Sequence, residues 1–242
     1  MWRDQGAGRV VRGAARLLKL ELRLMTGGRA LLLLGAQLAW LVTHVVLQRF
    51  NEEPWDPVSF YNRTILLPCL LPAIALGMSC ILAERDDRHL EMSFASAGGR
   101  YLLWSFRLAA LAIASAASCL LLAIATRLFL AREISPVTAA AHALVPVLMA
   151  ASLAAFLALL FNGTASAGLV TGALFTAGGL VLHAAGAGRF DPFLNPFDPP
   201  AGLRDPHAWM RMLAFNRLFL LAMIGVLVAG TLGLLQRRER LL

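Results

Sequence analysis

The chain has 242 residues, of which 59% are hydrophobic, and its mean hydropathy is +0.69. A soluble domain is only about half apolar, and here the apolar residues fall in blocks of about 20, the length that crosses a hydrocarbon core. The net charge is +8, but the basic residues lie at the ends of these blocks. That placement suits lipid headgroups and argues against nucleic acid as a partner.

The first predicted element is a helix lying on the membrane surface over about residues 9–25. Its basic side chains recur three and four residues apart, and apolar side chains cover the rest of the helix, as in an interfacial helix. Glu21 is the exception, because it projects from the apolar side. The basic stripe consists of Arg9, Arg12, Arg16, Lys19 and Arg23.

The apolar blocks predict an all-α polytopic membrane protein with about six transmembrane helices in a single domain. The second block contains Pro68 and Pro72, which leave carbonyls unpaired and bend the helix. In the third, Arg107 is expected to snorkel to the interface. Gly168 and Gly172 of the fifth form a GxxxG pair that favours close packing. The predicted spans are 30–48, 64–83, 101–126, 137–161, 165–185 and 213–235.

Two connecting segments are distinctive. Residues 84–100 are dense in charge, whereas residues 186–212 are rich in proline and aromatic side chains. The second is too apolar for a solvated loop and too broken by proline to span a membrane. It is therefore expected to form short helices or turns at the outer interface.

Arginine and lysine predict the orientation of the chain. Seven lie in the segment up to residue 29, three in 84–100 and three in the C-terminal tail, against two in 49–63, two in 127–136 and three in 186–212. Because basic residues favour the cytoplasmic side, both termini are expected in the cytoplasm, with the chain in the inner (plasma) membrane.

Catalytic and cofactor motifs are missing from the sequence. It has no GxxxxGK[ST], HExxH or GxSxG, so neither nucleotide binding by this chain nor enzymatic activity is expected. Three histidines, His44, His142 and His183, lie in or near spans and are expected to pair with backbone carbonyls. Three cysteines lie in apolar blocks without a CxxC pair and are expected to be packing residues. They are Cys69, Cys80 and Cys119.

The order of these elements resembles the permease subunit of an ABC-2-type transporter, also called the type V ABC exporter fold. Lys19-Leu20-Glu21-Leu22-Arg23 is similar to the core of the family's N-terminal elbow helix. Residues 83–91 resemble its charged cytoplasmic segment, and Asn216-Arg217 is similar to its last-span entry. The chain departs from the family pattern where Asp87 or Arg88 replaces a common glycine and Ala97-Gly98 replaces the usual proline.

The resemblance implies separate ABC ATPase subunits that hold ATP and Mg, and a second permease chain, identical or related. This chain would bind no cofactor and would form a pathway that exports an amphipathic or hydrophobic substrate. The resemblance also implies that residues of about 86–96 form a coupling helix. The helical spacing of Leu90, Phe94 and Ala97, which gives this segment an apolar edge, favours that interpretation. The predicted ATPase contacts are Glu84, Arg85, Arg88, Leu90, Glu91 and Phe94.

Three alternatives stay open at this point. The charged run could be an ordinary solvated loop. The chain could be the cytochrome-c maturation type of ABC permease, which has a similar plan. It could also be a membrane scaffold or assembly factor that transports nothing and needs no ATPase partner.

Overall fold

The structure, a computed structural model, describes residues 13, 15–23, 30–50, 60–85, 100–130, 134–185, 188–199 and 205–239. Within these ranges all regular structure is helical, and six helices are long and apolar enough to cross a membrane. The predicted all-α polytopic membrane fold is confirmed.

Helix α1 comprises residues 15–23 within the predicted surface helix. The six long helices follow in chain order, and a π-helical turn over Tyr61–Leu66 leads into the second of them. They are α2 (Ala30–Phe50), α3 (Leu67–Arg85), α4 (Arg100–Phe129), α5 (Pro136–Leu160), α6 (Thr164–Ala184) and α7 (Pro206–Glu239).

Helix α7 begins at Pro206, whereas the sequence placed the start of this span at residue 213. Asp205 is the reason: its Oδ1 accepts from the backbone N–H of His207 at 2.9 Å, and its carbonyl accepts from that of Trp209 at 3.1 Å. A proline in the first turn adds no unpaired N–H. Part of the predicted outer segment is thus helical.

Helix α5 is the centre of the bundle, since it packs against α3, α4, α6 and α7. Its inward positions are mostly alanine, and Ala139, Ala143, Ala150 and Ala154 are fully buried. Helices in lipid gain little from the hydrophobic effect and associate through close packing, which small side chains permit. The alanines therefore let four neighbours approach one helix.

Gly77 of α3 lies directly against the backbone of α5. A Cβ placed on this residue would overlap the backbone carbonyl of Ala151 on α5. The GxxxG pair in α6 is less tightly packed: a Cβ on Gly168 would meet Met78 Sδ at 3.1 Å, and one on Gly172 would meet nothing within 4 Å.

Proline in α3 explains one contact of the outlying helix α2. Pro72 has no N–H, so the carbonyl of Pro68 loses its intrahelical partner. Gln37 of α2 replaces it, because its Nε2 donates to that carbonyl at 3.1 Å. The same nitrogen also donates to Ser118 Oγ on α4. One buried amide thus joins α2 to α3 and α4, as a polar group in an apolar interior must.

The bundle has two ends. We call one of them the basic end, because α3 finishes there at Arg85 and α4 begins there at Arg100. Helices α5 and α7 also finish at this end, and α6 begins there. The opposite end carries the start of α3, the finish of α4 and residues 188–199, which bond to α7.

The contact at Gly77 yields a test of the packing. We expect Gly77→Ala to push α3 away from α5 and to lower the free energy of unfolding by about 1–3 kcal/mol, the usual cost of overpacking. The matched control is Gly172→Ala, where the methyl group has space and alanine favours a helix. Unfolding of the purified protein in a detergent titration measures both. Equal stability of the two variants would contradict the close approach.

Candidate functional site

The three residues predicted for the elbow helix all lie on α1, but they face different surroundings. Lys19 and Arg23 are exposed, whereas Glu21 is only 1% exposed. Its Oε2 lies 3.1 Å from Nε of Arg107, which is fully buried near the start of α4. The acidic residue on the apolar side of the surface helix thus forms a buried ion pair with the bundle.

Arg107 joins three helices at the basic end. Besides Glu21 on α1, it donates through Nη1 to the carbonyl of Cys80 on α3 at 3.3 Å. Its guanidinium also lies 5.7 Å from the ring centroid of Trp104, a cation–π contact. The expectation that Arg107 snorkels to the interface is wrong, because the carboxylate of Glu21 supplies a counter-charge inside the protein.

The predicted coupling segment begins one helical turn beyond this junction. Glu84 and Arg85 are in the last turn of α3, four and five residues after Cys80, and the structure does not describe their side chains. Arg88, Leu90, Glu91 and Phe94 lie outside the described residues. Their role at an ATPase interface stays a prediction. The described ends of the segment are Arg85, five residues after Cys80 on α3, and Arg100, seven residues before Arg107 on α4.

The opposite end is organised by two neighbouring residues of α7. Nδ2 of Asn216 donates to the carbonyls of Arg189 at 3.1 Å and Asp191 at 2.9 Å. Arg217, only 8% exposed, donates through Nη1 to Asn216 Oδ1 at 2.8 Å and through Nη2 to the carbonyl of Leu194 at 3.0 Å. The two side chains hold the backbone of residues 188–199 against the bundle.

Residues 188–199 are built as two successive turns of the same kind. Oδ1 of Asp191 accepts from the N–H of Phe193 at 2.9 Å, and Oδ1 of Asn195 accepts from that of Phe197 at 3.0 Å. Each polar residue precedes a proline, the usual sequence of such a turn. A third contact comes from Asn62, whose Nδ2 donates to the carbonyl of Phe193 at 3.2 Å.

Aromatic side chains complete the attachment of this segment. Phe193 packs edge-on against Phe175 of α6, with ring centroids 6.1 Å apart, and Phe197 against Tyr61, at 5.7 Å. Gly179 of α6 makes room for Phe193, because a Cβ there would lie 2.5 Å from the ring. Residues 188–199 therefore form an ordered cap on the opposite end.

Sequence reasoning did not identify the roles of Asn216 and Arg217. The available signal was the pair itself, an amide next to a guanidinium within an apolar block, because such groups in a span must find partners. The sequence could not indicate that those partners would be backbone carbonyls of the segment preceding α7.

Among the described residues, the histidines and cysteines form no metal-binding cluster. Nδ1 of His44 lies 2.9 Å from the carbonyl of Trp40, the kind of pairing that was expected. The side chain of His183 is not described. All three cysteines are buried, and none is in a disulfide bond. In the described part of the chain, no three His, Cys, Asp or Glu side chains lie close enough to hold a metal ion.

Comparison of the chain with protein-family models, curated proteins and solved structures gives no match. The fold alone thus defines the class: a multi-pass helical membrane protein with a surface-type helix ion-paired to one end and an ordered cap on the other.

The ion pair yields a second prediction. Arg107→Met leaves the carboxylate of Glu21 buried without its counter-charge, so we expect a loss of about 3–5 kcal/mol in unfolding free energy. Replacing both partners, Glu21→Leu with Arg107→Met, should recover most of that loss. Lys19→Met, an exposed change on the same helix, serves as the control. Detergent unfolding is measured for the unsubstituted chain, Arg107→Met, the double variant and Lys19→Met. An Arg107→Met variant as stable as Lys19→Met would show that the pair is not formed.

Proposed function

We propose that this chain is the membrane-spanning permease subunit of an ABC transporter and that separate ATPase subunits hydrolyse ATP. The observation that carries the proposal is the buried Glu21–Arg107 pair at 3.1 Å. It supports the resemblance to an ABC-2-type permease, because it ties an amphipathic N-terminal helix to the place where the second and third spans meet the charged segment.

The junction at Arg107 suits the transmission of movement. Its side chain contacts Glu21 of α1 and the carbonyl of Cys80 on α3, and its backbone belongs to α4. A push on residues 84–100 by a nucleotide-driven ATPase would therefore move three helices together rather than one. Interfaces of this kind convert local shifts into rigid-body movement.

The proposed assembly contains two permease chains, identical or related. Helices α2 and α6 are the spans with the smallest buried share, and their exposed apolar residues include Leu32 and Val42 on α2 and Leu169 and Leu174 on α6. In the ABC-2-type family that this chain resembles, two permease chains pair mainly through their first and fifth spans, which correspond to α2 and α6 here. Where the second permease chain does not cover these surfaces, lipid does. An amphipathic or hydrophobic substrate fits a pathway between such helices.

The proposal includes an orientation, with both termini in the cytoplasm of an inner (plasma) membrane. Cysteines introduced as Ser93→Cys and Gln236→Cys should resist an impermeant thiol reagent added outside intact cells, whereas Asp198→Cys should react. The buried native cysteines provide a low background. Labelling of Ser93→Cys from outside would reverse the orientation and remove the charged segment from the reach of an ATPase.

The coupling segment provides the test of function. The tagged chain, purified from its native membranes, should carry a P-loop ATPase. Phe94→Ala removes the side chain that an ATPase groove would bury, a contribution of about 2 kcal/mol, and should weaken this association roughly 30-fold. Glu91→Arg should weaken it by charge reversal. Association and transport-linked ATP hydrolysis are the measurements.

Phe161→Ala is the matched control, since Phe161 is a half-exposed phenylalanine at the same end of the bundle. It should leave association unchanged. Full association of both test variants would reduce residues 84–100 to a solvated loop. A chain that purifies without any ATPase would instead be a scaffold or assembly factor.

A further inference from the structure

Helix α1 has an exposed basic face, formed by Arg16, Lys19 and Arg23. At helical spacing these residues fall within an arc of about 60° whose centre is opposite Glu21, and all three side chains are exposed. Glu21 is the only acidic residue in residues 15–23, and it is bonded to Arg107 inside the protein. The basic face therefore carries three positive charges that no exposed acidic residue of α1 offsets.

The opposite face of α1 is fixed to the bundle. Leu18 and Leu22 pack against its buried core. The carboxylate of Glu21 lies 3.1 Å from Nε of Arg107 on α4. These contacts determine the rotation of the helix about its axis, so the basic face points away from the helices to which α1 is bonded.

The ion pair also sets the level of α1 along the bundle. Arg107, the partner of Glu21, bonds the carbonyl of Cys80. The first charged residue beyond this contact is Glu84 on α3, four residues away, and Arg100 on α4, seven residues away. These separations are about 6 Å and about 10 Å along a helix. Because charged residues at the end of an apolar block mark the headgroup region, Glu21 lies within about two helical turns of it.

An exposed apolar side chain flanks the basic face. Leu20 is four residues after Arg16, on the same side of the helix, and it is 50% exposed. A phospholipid offers an anionic headgroup to the basic face and an acyl chain to Leu20, whereas a free anion offers only the charge. Cations beside an exposed leucine are typical of a helix that binds anionic lipid.

We propose that the basic face of α1 is a binding site for anionic phospholipids, whose phosphate oxygens accept hydrogen bonds from Arg16, Lys19 and Arg23. One basic residue near a membrane surface favours anionic lipid about fivefold. After screening by salt, three of them should favour it over zwitterionic lipid at least about tenfold. The site concerns lipid binding and is independent of whether the chain transports.

The test uses the full chain in phosphatidylcholine nanodiscs that contain one of two photoreactive lipids, a phosphatidylglycerol or a phosphatidylcholine, each with a diazirine on the acyl chain. Crosslinks are mapped by mass spectrometry. The phosphatidylglycerol probe should label residues 15–23 at least about tenfold more strongly than the phosphatidylcholine probe, whereas both should label the surroundings of Leu169 on α6 equally. Raising the salt concentration to about 1 M should remove most of the preference, because the screening length falls to about 3 Å.

Three sets of substitutions separate the charge of the basic face from the rest of the chain. The neutral variant should be labelled equally by both probes at residues 15–23, and it carries Arg16→Gln, Lys19→Gln and Arg23→Gln. The charge-conserving variant should keep the preference, and it carries Arg16→Lys, Lys19→Arg and Arg23→Lys. The matched control removes three exposed arginines outside α1 and should also keep the preference, and it carries Arg49→Gln, Arg63→Gln and Arg127→Gln.

All of these substitutions are at exposed positions, so each variant should unfold in detergent like the unsubstituted chain. Equal labelling of residues 15–23 by the two probes would overturn the proposal and leave water or an acidic protein to cover the basic face. An unchanged preference in the neutral variant, or an equal loss in the matched control, would also overturn it, since the attraction would then not arise from α1.

Discussion

A polar side chain inside an apolar bundle must find its hydrogen bonds within the protein, and this constraint arranges the whole molecule. Arg107 finds Glu21 on the surface helix. Gln37 finds the Pro68 carbonyl that proline leaves unpaired. Arg217 finds the backbone of the cap. Arg107, Gln37 and Arg217, which look out of place in apolar blocks, are thus the points where another element is attached.

The bundle consequently differs between its ends and its middle. Directional bonds of Arg107 and Arg217 hold the two ends, whereas the middle is held by shape, with alanines of α5 against Gly77 and other small residues.

Six spans could be predicted from the sequence because each is an apolar block long enough to cross a membrane, and the described residues contain six helices of that length and composition. The long-range pairs of side chains could not be predicted from the sequence. Glu21 and Arg107 are 86 residues apart, and nothing local marks them as partners. The start of α7 was missed because His207 and Arg211 make its first turns polar, so hydropathy places the boundary too late.

The ion pair at the basic end is better explained by position than by stability. Burying two charges costs desolvation energy that their attraction only about repays, and apolar pairs of similar size are often as stable. An apolar contact, however, would let α1 rotate and slide on the bundle. A carboxylate bonded to one guanidinium, which also bonds the α3 backbone, allows a single placement. That placement holds α1 against α3 and α4 at the basic end of the bundle.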